Sequence, residues 1–172
     1  MTVPAPQDES ARIRLLRELR ILDTQEEPAF EALVRLAARQ TGCAVGALSF
    51  VDGQRQWFKA RVGTALRETP LASALCARAI LASDVTVIHD ASADPAFAGN
   101  PLLAGPTPLR FYAAAPVSVE GVRLGTVCCL DPLPRRLDGH ALGGLRGLAA
   151  LASELLQARL RGQGPRLHGA GG

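Results

Sequence analysis

Residues 44–63 read AVGALSFVDGQRQWFKARVG, and this stretch decides the fold. The pair Asp52-Gly53 separates two runs of alternating residues, which is the strongest short sequence signal for a β-hairpin. Neighbouring side chains of a strand point to opposite faces of its sheet. In the first run one face holds Val45, Ala47, Ser49 and Val51, and the other holds Leu48 and Phe50. Because both faces are apolar, we expect this strand at the centre of a sheet that is covered on both sides.

Three amphipathic helices flank this hairpin in the sequence. The first is expected to begin near Asp8 to Ser10, whose short polar side chains suit an N-cap, and to end near Leu22. The second runs from about Glu27 to Thr41, and Gly42 follows it where a left-handed C-cap residue would stand. The third covers residues 138–161 near the end of the chain. Each helix carries apolar residues at helical spacing and therefore needs a surface to cover.

The middle of the chain predicts further strands and one long loop. A helix near residues 72–83 precedes a short edge strand over 85–88. Residues 89–108 are dense in Asp, Asn, Gly and Pro, which is typical of a loop, and loops of this length are often functional. Strands over 109–119 and 122–131 form a second hairpin. Hairpin strands with helices at both ends of the chain indicate an α+β domain.

The composition indicates one ordinary globular domain. The chain has 172 residues, of which 48% are hydrophobic and 20% charged. We expect a single domain over residues 8–160, with disordered ends at 1–7 and 161–172. The net charge of +3 comes from scattered arginines rather than a clustered basic face, so no nucleic-acid partner is expected. Since neither a membrane-spanning apolar run nor a secretion signal is present, we expect a cytoplasmic protein without membrane contact.

The four cysteines are expected to be buried free thiols. Cys43, Cys76, Cys128 and Cys129 lack the spacing of a zinc site, so no metal is predicted. Reduced cysteine behaves as a small apolar residue, which suits a core position. A disulfide between the adjacent Cys128 and Cys129 would be strained, because successive side chains of a strand point to opposite faces.

Six short segments occur in an order that resembles the GAF domains of bacterial signalling proteins. They are ILDTQEEPAF (21–30), SFVDGQRQWFKARVG (49–63), ALCARAI (74–80), DPAFAGNPLLAG (94–105), LRFYAAAPV (109–117) and GTVCCLDPLPR (125–135). The resemblance implies a GAF/PAS-like central antiparallel sheet of five or six strands in the order 2-1-5-4-3. The N- and C-terminal helices would cover one face, and a small-molecule pocket would lie on the other. The helix around Cys76 and the loop 90–107 would roof that pocket.

The resemblance also implies a set of residues around the ligand. Phe111 and Tyr112 are neighbours on a predicted strand, so one ring faces the pocket and the other the helices, with core packing alone as the alternative reading. Arg110 is expected to pair with Asp94 or with an anionic ligand group, because a planar guanidinium suits carboxylate and phosphate. Side chain to backbone hydrogen bonds are expected to close the loop around Asp94. The predicted ligand-binding residues are Cys76, Asp94, Phe97, Asn100, Arg110, Phe111 and Tyr112.

Cys76 is the candidate nucleophile, but its neighbours predict that the chain is not an enzyme. Relatives with this motif usually show Ser-Phe-Cys-Ala-His, whereas residues 74–78 read Ala-Leu-Cys-Ala-Arg. Arg78 cannot act as a general base near neutral pH, so no catalytic residue is predicted. Three family signatures have no counterpart here: the cysteine loop of free methionine sulfoxide reductases, the Cys-His pair of bilin-binding domains, and the motif of cyclic-nucleotide-binding domains.

The function that the resemblance implies is that of a stand-alone GAF domain that senses a small molecule, without an output domain in the chain. Its signal would pass through a homodimer formed by the terminal helices, or through a partner signalling protein. The alternative is an interaction module whose pocket is vestigial and filled by its own side chains. Thiol-based redox chemistry at Cys76, as an enzyme or as a sensor, is a third interpretation. The sequence names neither the ligand nor a cofactor.

Overall fold

The computed structural model describes residues 6–71, 75–104, 106 and 108–162 of the protein. Within them the α-helices span Pro6–Leu19 (α1), Pro28–Thr41 (α2), Cys76–Ala79 (α3) and Gly139–Gly162 (α4). The β-strands span Val45–Val51 (β1), Arg55–Val62 (β2), Glu68–Pro70 (β3), Thr86–Ile88 (β4), Phe111–Val119 (β5) and Val122–Asp131 (β6). Short 3₁₀ turns at Ala91–Ala93, Pro95–Phe97 and Pro101–Leu103 occupy the connection between β4 and β5.

The strands form one antiparallel sheet in the order β3-β2-β1-β6-β5-β4. The five predicted strands keep their predicted order, and the structure adds the short edge strand β3. The Asp52-Gly53 hairpin is confirmed, and the Asp52 carboxylate fixes the turn by accepting hydrogen bonds from the amides of Gln54 at 2.7 Å and Arg55 at 2.8 Å. The α+β class and the central position of β1 are therefore confirmed.

Each face of the sheet has its own hydrophobic core. Helices α1, α2 and α4 pack on one face around Leu48, Phe50 and Phe111. On the other face α3 and the β4–β5 connection cover Ala47 and Tyr112. The predicted alternation along β1 is thus confirmed. The long helices cover one face of the sheet, as predicted, and α3 and the β4–β5 connection cover the other.

The structure differs from the predicted elements mainly at their ends. The helix α1 stops at Leu19, because Arg20 takes a left-handed conformation with φ 49° that ends the helix. The helix predicted over 72–83 is the single turn α3, and residues 72–74 lie outside the described part of the chain. Helix α1 begins at Pro6 and α4 extends to Gly162, so both helices reach a few residues into the segments that were predicted to be disordered. The rest of the predicted disordered ends, 1–5 and 163–172, lies outside the described residues.

The described residues contain neither a membrane-spanning helix nor a metal-binding cluster. No helix among them is both long enough and apolar enough to cross a bilayer. The same residues include no group of three or more His, Cys, Asp or Glu side chains that could hold a metal ion.

Candidate functional site

A cavity of about 360 Å³ lies on the face of the sheet opposite the long helices. Strands β1, β2, β5 and β6 form its floor, and Leu75, Leu102 and Leu109 contribute from the segments that cover this face. Its volume lies at the lower end of the range for small-molecule sites. The remaining described lining residues are Val45, Ala47, Gln56, Phe58, Gly63, Thr64, Leu66, Thr69, Tyr112, Cys128, Leu130, Asp131 and Pro132.

Two buried polar side chains of this cavity have unpartnered atoms. Gln56 is 5% exposed and Thr69 is 9% exposed. The amide oxygen Oε1 of Gln56 and the hydroxyl Oγ1 of Thr69 find no hydrogen-bond partner within the described part of the protein. The two residues stand directly opposite each other on β2 and β3, so their side chains share one face of the sheet. Since buried polar groups are normally hydrogen-bonded, this pair is suited to receive a ligand group.

The acidic side chain of the cavity lining, Asp131, already has partners in the protein. It accepts hydrogen bonds from the amides of Ala44 and Leu133, both at 2.9 Å, and forms an ion pair with Arg135 at 3.1 Å. These contacts fix the end of β6 against the start of β1. The carboxylate therefore has a structural role at the cavity wall.

A fully buried polar cluster lies beneath α3, next to the cavity. The Cys76 thiol is 2.9 Å from the Tyr112 hydroxyl and accepts a hydrogen bond from the Thr126 hydroxyl at 3.0 Å. Ser49 is 3.2 Å from Thr126, hydroxyl to hydroxyl. Cys128 belongs to the same cluster and also lines the cavity. The cluster thus joins α3 to three strands of the sheet.

These contacts change the acidity of the Cys76 thiol. Burial alone raises its pKa, but hydrogen bonds from Cys128, Ser49, Thr126 and Tyr112 outweigh burial and lower the pKa to about 7. The hydrogen bond to Cys76 raises the pKa of Cys128 well above its ordinary value, and burial adds to this effect. Cys76 is therefore the thiol of this pair that ionises first.

We expect the ionisation of Cys76 to appear as a thiolate absorbance change near 240 nm. The difference between the wild-type protein and the Cys76→Ser variant is expected to titrate with a pKa of about 7. The measurement is a pH titration of the folded protein by ultraviolet absorbance. A difference that titrates only at the ordinary thiol value of 9.0 would contradict the hydrogen-bonded cluster.

The same thiol makes stability depend on pH. Its folded-state pKa of about 7 lies below the ordinary value of 9.0, so its contribution is fully present above pH 9.0 and is lost as the pH falls through 7. Relative to Cys76→Ser, we expect the free energy of unfolding of the wild type to rise by about 1–3 kcal/mol across this window. Urea unfolding at several pH values measures it, and a difference that stays flat with pH would contradict the expectation.

Three of the predicted site residues line a second, more open groove of about 450 Å³ beside α3 and β4. Asp94 and Phe97 lie there, and Tyr112 contributes to both this groove and the cavity. The Arg78 guanidinium sits over the Phe97 ring, 5.0 Å from its centroid. The groove and the cavity therefore share Leu75 and Tyr112.

The side chain to backbone hydrogen bonds that were expected in the loop are present. The Asp94 carboxylate accepts from the amide of Ala96 at 3.0 Å, and the Asn100 side-chain oxygen accepts from the amide of Leu102 at 2.9 Å. Each bond caps a 3₁₀ turn. Asp94 and Asn100 thus shape the segment that brings Leu102 to the cavity.

Arg110 does not pair with Asp94 as expected, and of the two neighbouring rings it is Phe111 that faces the helices, so it does not bind a ligand in the cavity. Among the described residues no ion pair joins Arg110 to Asp94, and the Arg110 guanidinium instead donates to the Leu109 carbonyl at 3.3 Å. Neither Arg110 nor Asn100 is among the described lining of the cavity. Phe111 is fully buried in the helix-side core, because alternation along β5 gives the cavity side to Tyr112. Of the two rings, the cavity therefore receives Tyr112 alone.

Sequence reasoning missed the unpartnered pair. Gln56 could have been found, because a polar residue that alternates with Phe58 on β2 must share the face of that ring. Thr69 carried no such signal, since Glu68-Thr69-Pro70 is too short and too polar to predict a strand.

The family of the chain follows from comparison with known proteins. The family model described as GAF domain matches residues 25–156, which is most of the chain. The protein therefore belongs to the GAF domain family, as its sequence motifs indicated.

Individual proteins extend this comparison. A cyclic di-GMP phosphodiesterase of Pseudomonas aeruginosa is 38% identical over 135 residues, which are 78% of this chain but only 23% of that protein. The GAF domain of an Acinetobacter phosphoenolpyruvate-protein phosphotransferase aligns with a TM-score of 0.64 at 17% identity, over 90% of this chain and 95% of that one. A type II free methionine-R-sulfoxide reductase from Thermoplasma acidophilum aligns with a TM-score of 0.61 at 16% identity, over 88% of this chain and 96% of that one.

The expectation that the chain is not an enzyme is contradicted by these comparisons. The Pseudomonas relative is named a phosphodiesterase, and the Thermoplasma protein of the same fold is a reductase. The fold is thus one that enzymes use. The lack of a histidine two residues after Cys76 was therefore too narrow a criterion for excluding catalysis.

Proposed function

We propose that this GAF domain is a small-molecule sensor of bacterial signal transduction whose ligand binds in the cavity above Tyr112. The observation that carries the proposal is the Gln56 and Thr69 pair, two residues that line an apolar cavity and whose side-chain oxygens are buried without hydrogen-bond partners among the described residues. A mostly apolar pocket with a few convergent polar groups is the usual form of a ligand site. The similarity to a protein named cyclic di-GMP phosphodiesterase supports a regulatory role next to cyclic di-GMP turnover.

The open cavity favours the sensor over the vestigial-pocket alternative. In a vestigial pocket, the protein's own side chains would fill the space and pair the polar atoms. Here about 360 Å³ stays open between the sheet and its cover, and Gln56 and Thr69 stay unpaired. The ligand would supply the missing contacts.

Native mass spectrometry of the gently purified protein tests the proposal. Ala47 lines the cavity and is 1% exposed, so Ala47→Leu and Ala47→Phe fill the space that the ligand needs. We expect the wild type to carry an excess mass that both variants lack. The control is Ala32→Phe, at an exposed alanine, and this variant is expected to keep the excess mass. A wild-type mass equal to that of the chain alone, in agreement with both variants, would contradict ligand binding in the cavity.

We further propose that the terminal helix α4 carries the signal through a homodimer. Its solvent-facing side presents Gly143, Gly147 and Leu151 at four-residue spacing, and Leu151 is 49% exposed. A Cβ added at either glycine would meet nothing within 4 Å. Glycine lowers the stability of a helix, and no neighbouring atom requires glycine at these two positions. Two glycines on one helix face instead suit the close approach of a second helix.

Light scattering tests the dimer. We expect the mass of a dimer at high micromolar concentration, and a shift to the monomer in Leu151→Glu, because a carboxylate at a helix contact remains unpaired. The control is Leu133→Glu, at a leucine that is 63% exposed in the connection before α4, and it is expected to stay dimeric. A monomeric wild type would overturn this part of the proposal.

A second candidate function is thiol chemistry at Cys76, which the low pKa of this thiol and the neighbouring Cys128 favour. A Cys76 thiolate that attacks hydrogen peroxide breaks the O–O bond and gives a sulfenic acid, and the second oxygen leaves as hydroxide, which takes up a proton from solvent to become water. The Cys128 thiol then condenses with the sulfenic acid to a disulfide, with release of a second water. Peroxide treatment is expected to remove two hydrogens from the mass of the wild type but not of Cys128→Ser. An equal mass change in both proteins excludes this candidate.

A further inference from the structure

The lining of the cavity points to the chemistry of its ligand. We infer that the ligand is an uncharged, compact, mostly apolar molecule that carries one hydroxyl or N–H group, held between Gln56 and Thr69. This inference rests on the proposed function, because it names the class of molecule that the same cavity binds.

The ligand is uncharged because the cavity offers no free charge to pair with it. None of the described lining residues is Lys, Arg or His, so a carboxylate or phosphate would be buried without a cation. Asp131 is the single acidic residue among them, and two amides and Arg135 already occupy its oxygens. A cationic ligand would therefore compete with Arg135 for a carboxylate that fixes β6. Charged ligands of either sign are disfavoured.

The ligand is compact and mostly apolar because of the space and the surface around it. Leu75, Leu102, Leu109 and Leu130 surround the cavity together with Phe58. These side chains offer contact area but no hydrogen bonds, so they favour hydrocarbon parts of a ligand. At about 360 Å³ the cavity accommodates a small ring or a short branched chain with one substituent.

The polar group of the ligand follows from the two atoms without partners. The Gln56 amide oxygen can only accept a hydrogen bond, and the Thr69 hydroxyl can donate or accept. Because the residues are cross-strand neighbours, a single group of the ligand can reach both. A hydroxyl satisfies the pair completely, since it donates to Gln56 and accepts from Thr69. A molecule without such a group leaves both buried atoms unpaired, which weakens binding by about tenfold or more.

Amide chemical-shift titrations with matched compounds test the inference. One set is phenethyl alcohol, ethylbenzene and phenylacetate, and the second is cyclohexylethanol, ethylcyclohexane and cyclohexylacetate. The three compounds of a set have nearly the same shape and differ in one group, which is a hydroxyl, a hydrogen or a carboxylate. We expect the alcohols to shift the amides around Ala47, Gln56 and Leu130, with at least about tenfold tighter binding than the hydrocarbons and the carboxylates.

Two variants assign the preference to the polar pair. Thr69→Val and Gln56→Leu keep the approximate side-chain size and remove the hydrogen-bonding atoms, so alcohol and hydrocarbon are expected to bind alike. The control is Thr86→Val, on the edge strand β4 outside the described lining of the cavity, and it is expected to keep the preference. A variant that unfolds loses the native amide spectrum, and the other variant then decides.

The possible outcomes separate the inference from the proposed function. Carboxylates that bind in the cavity as tightly as the alcohols overturn the inference and leave the sensor proposal standing. If alcohols and hydrocarbons bind the wild type equally, Gln56 and Thr69 do not hold a polar group of the ligand. That result also overturns the inference and leaves the sensor proposal standing. If no compound of either set shifts the cavity amides, the inference fails, and the native mass spectrum decides whether the sensor proposal fails as well.

Discussion

Replacing Gly125 with alanine is expected to destabilise the domain by about 4 kcal/mol, a large part of the roughly 5–15 kcal/mol by which a domain is typically stable. Gly125 lies on β6, paired with Phe50 of the central strand β1. A Cβ at this position would stand 1.7 Å from the carbonyl oxygen of Ser49 and 2.9 Å from the Cα of Phe50. Both are backbone atoms, so the only relief is to separate β1 from β6. The ladder on which the cavity and the Cys76 cluster depend would then be lost.

Urea unfolding followed by the fluorescence of Trp57, the one tryptophan of the chain, measures this effect. The matched control is Gly139→Ala at the start of α4, where an added Cβ meets nothing within 4 Å, and its change is expected to stay within about 0.5 kcal/mol. A Gly125→Ala protein as stable as this control would mean that β1 and β6 are not paired in this register.

The second large effect is expected at Lys59, whose side chain is fully buried on the helix side of β2. Its ammonium pairs with Glu27 at 2.5 Å, and donates to the Thr24 hydroxyl at 2.8 Å and to the Gln25 carbonyl. It thereby ties the α1–α2 connection to the sheet. Lys59→Ala removes all three contacts and leaves a cavity, at a cost of about 3 kcal/mol. Part of the Glu27 interaction is screened, since that carboxylate is 41% exposed.

The Lys59→Met variant separates the charge from the packing. Methionine fills most of the same volume without the ammonium, so we expect about half of the loss seen with alanine. Glu27 keeps its second partner, Arg159, at 3.0 Å in both variants. Unfolding free energies of the two proteins measure the difference. A Lys59→Ala protein within about 0.5 kcal/mol of the wild type would contradict a buried ion pair at this position.

The parts of the fold that sequence could predict are those with local signals. The Asp52-Gly53 turn fixed the β1–β2 hairpin, and the left-handed Gly42, with φ 70°, marked the end of α2. Alternation along β5 predicted that Phe111 and Tyr112 would separate to opposite faces, and they do. Such signals depend on neighbours in the chain, which a single sequence displays.

The candidate site was less predictable because its contacts join distant residues. Strand β3 has three residues and ends in Pro70, so its pairing with β2 depends on tertiary contacts rather than on propensity. The approach of Thr126 and Tyr112 to Cys76 joins positions 50 and 36 residues apart, which no local pattern reveals. Arg110 was expected to pair with Asp94 or with an anionic ligand group. In the folded chain its guanidinium donates to the Leu109 carbonyl instead, which the sequence does not reveal.

A crystal structure of the gently purified protein tests the central claim most directly, because it shows what occupies the cavity above Tyr112. We predict continuous electron density for an organic molecule in that cavity, with a polar atom about 3 Å from both Gln56 Oε1 and Thr69 Oγ1. The contradicting result is a closed cavity, in which Phe58 and Leu102 have moved into the space and Gln56 is hydrogen-bonded to Thr69.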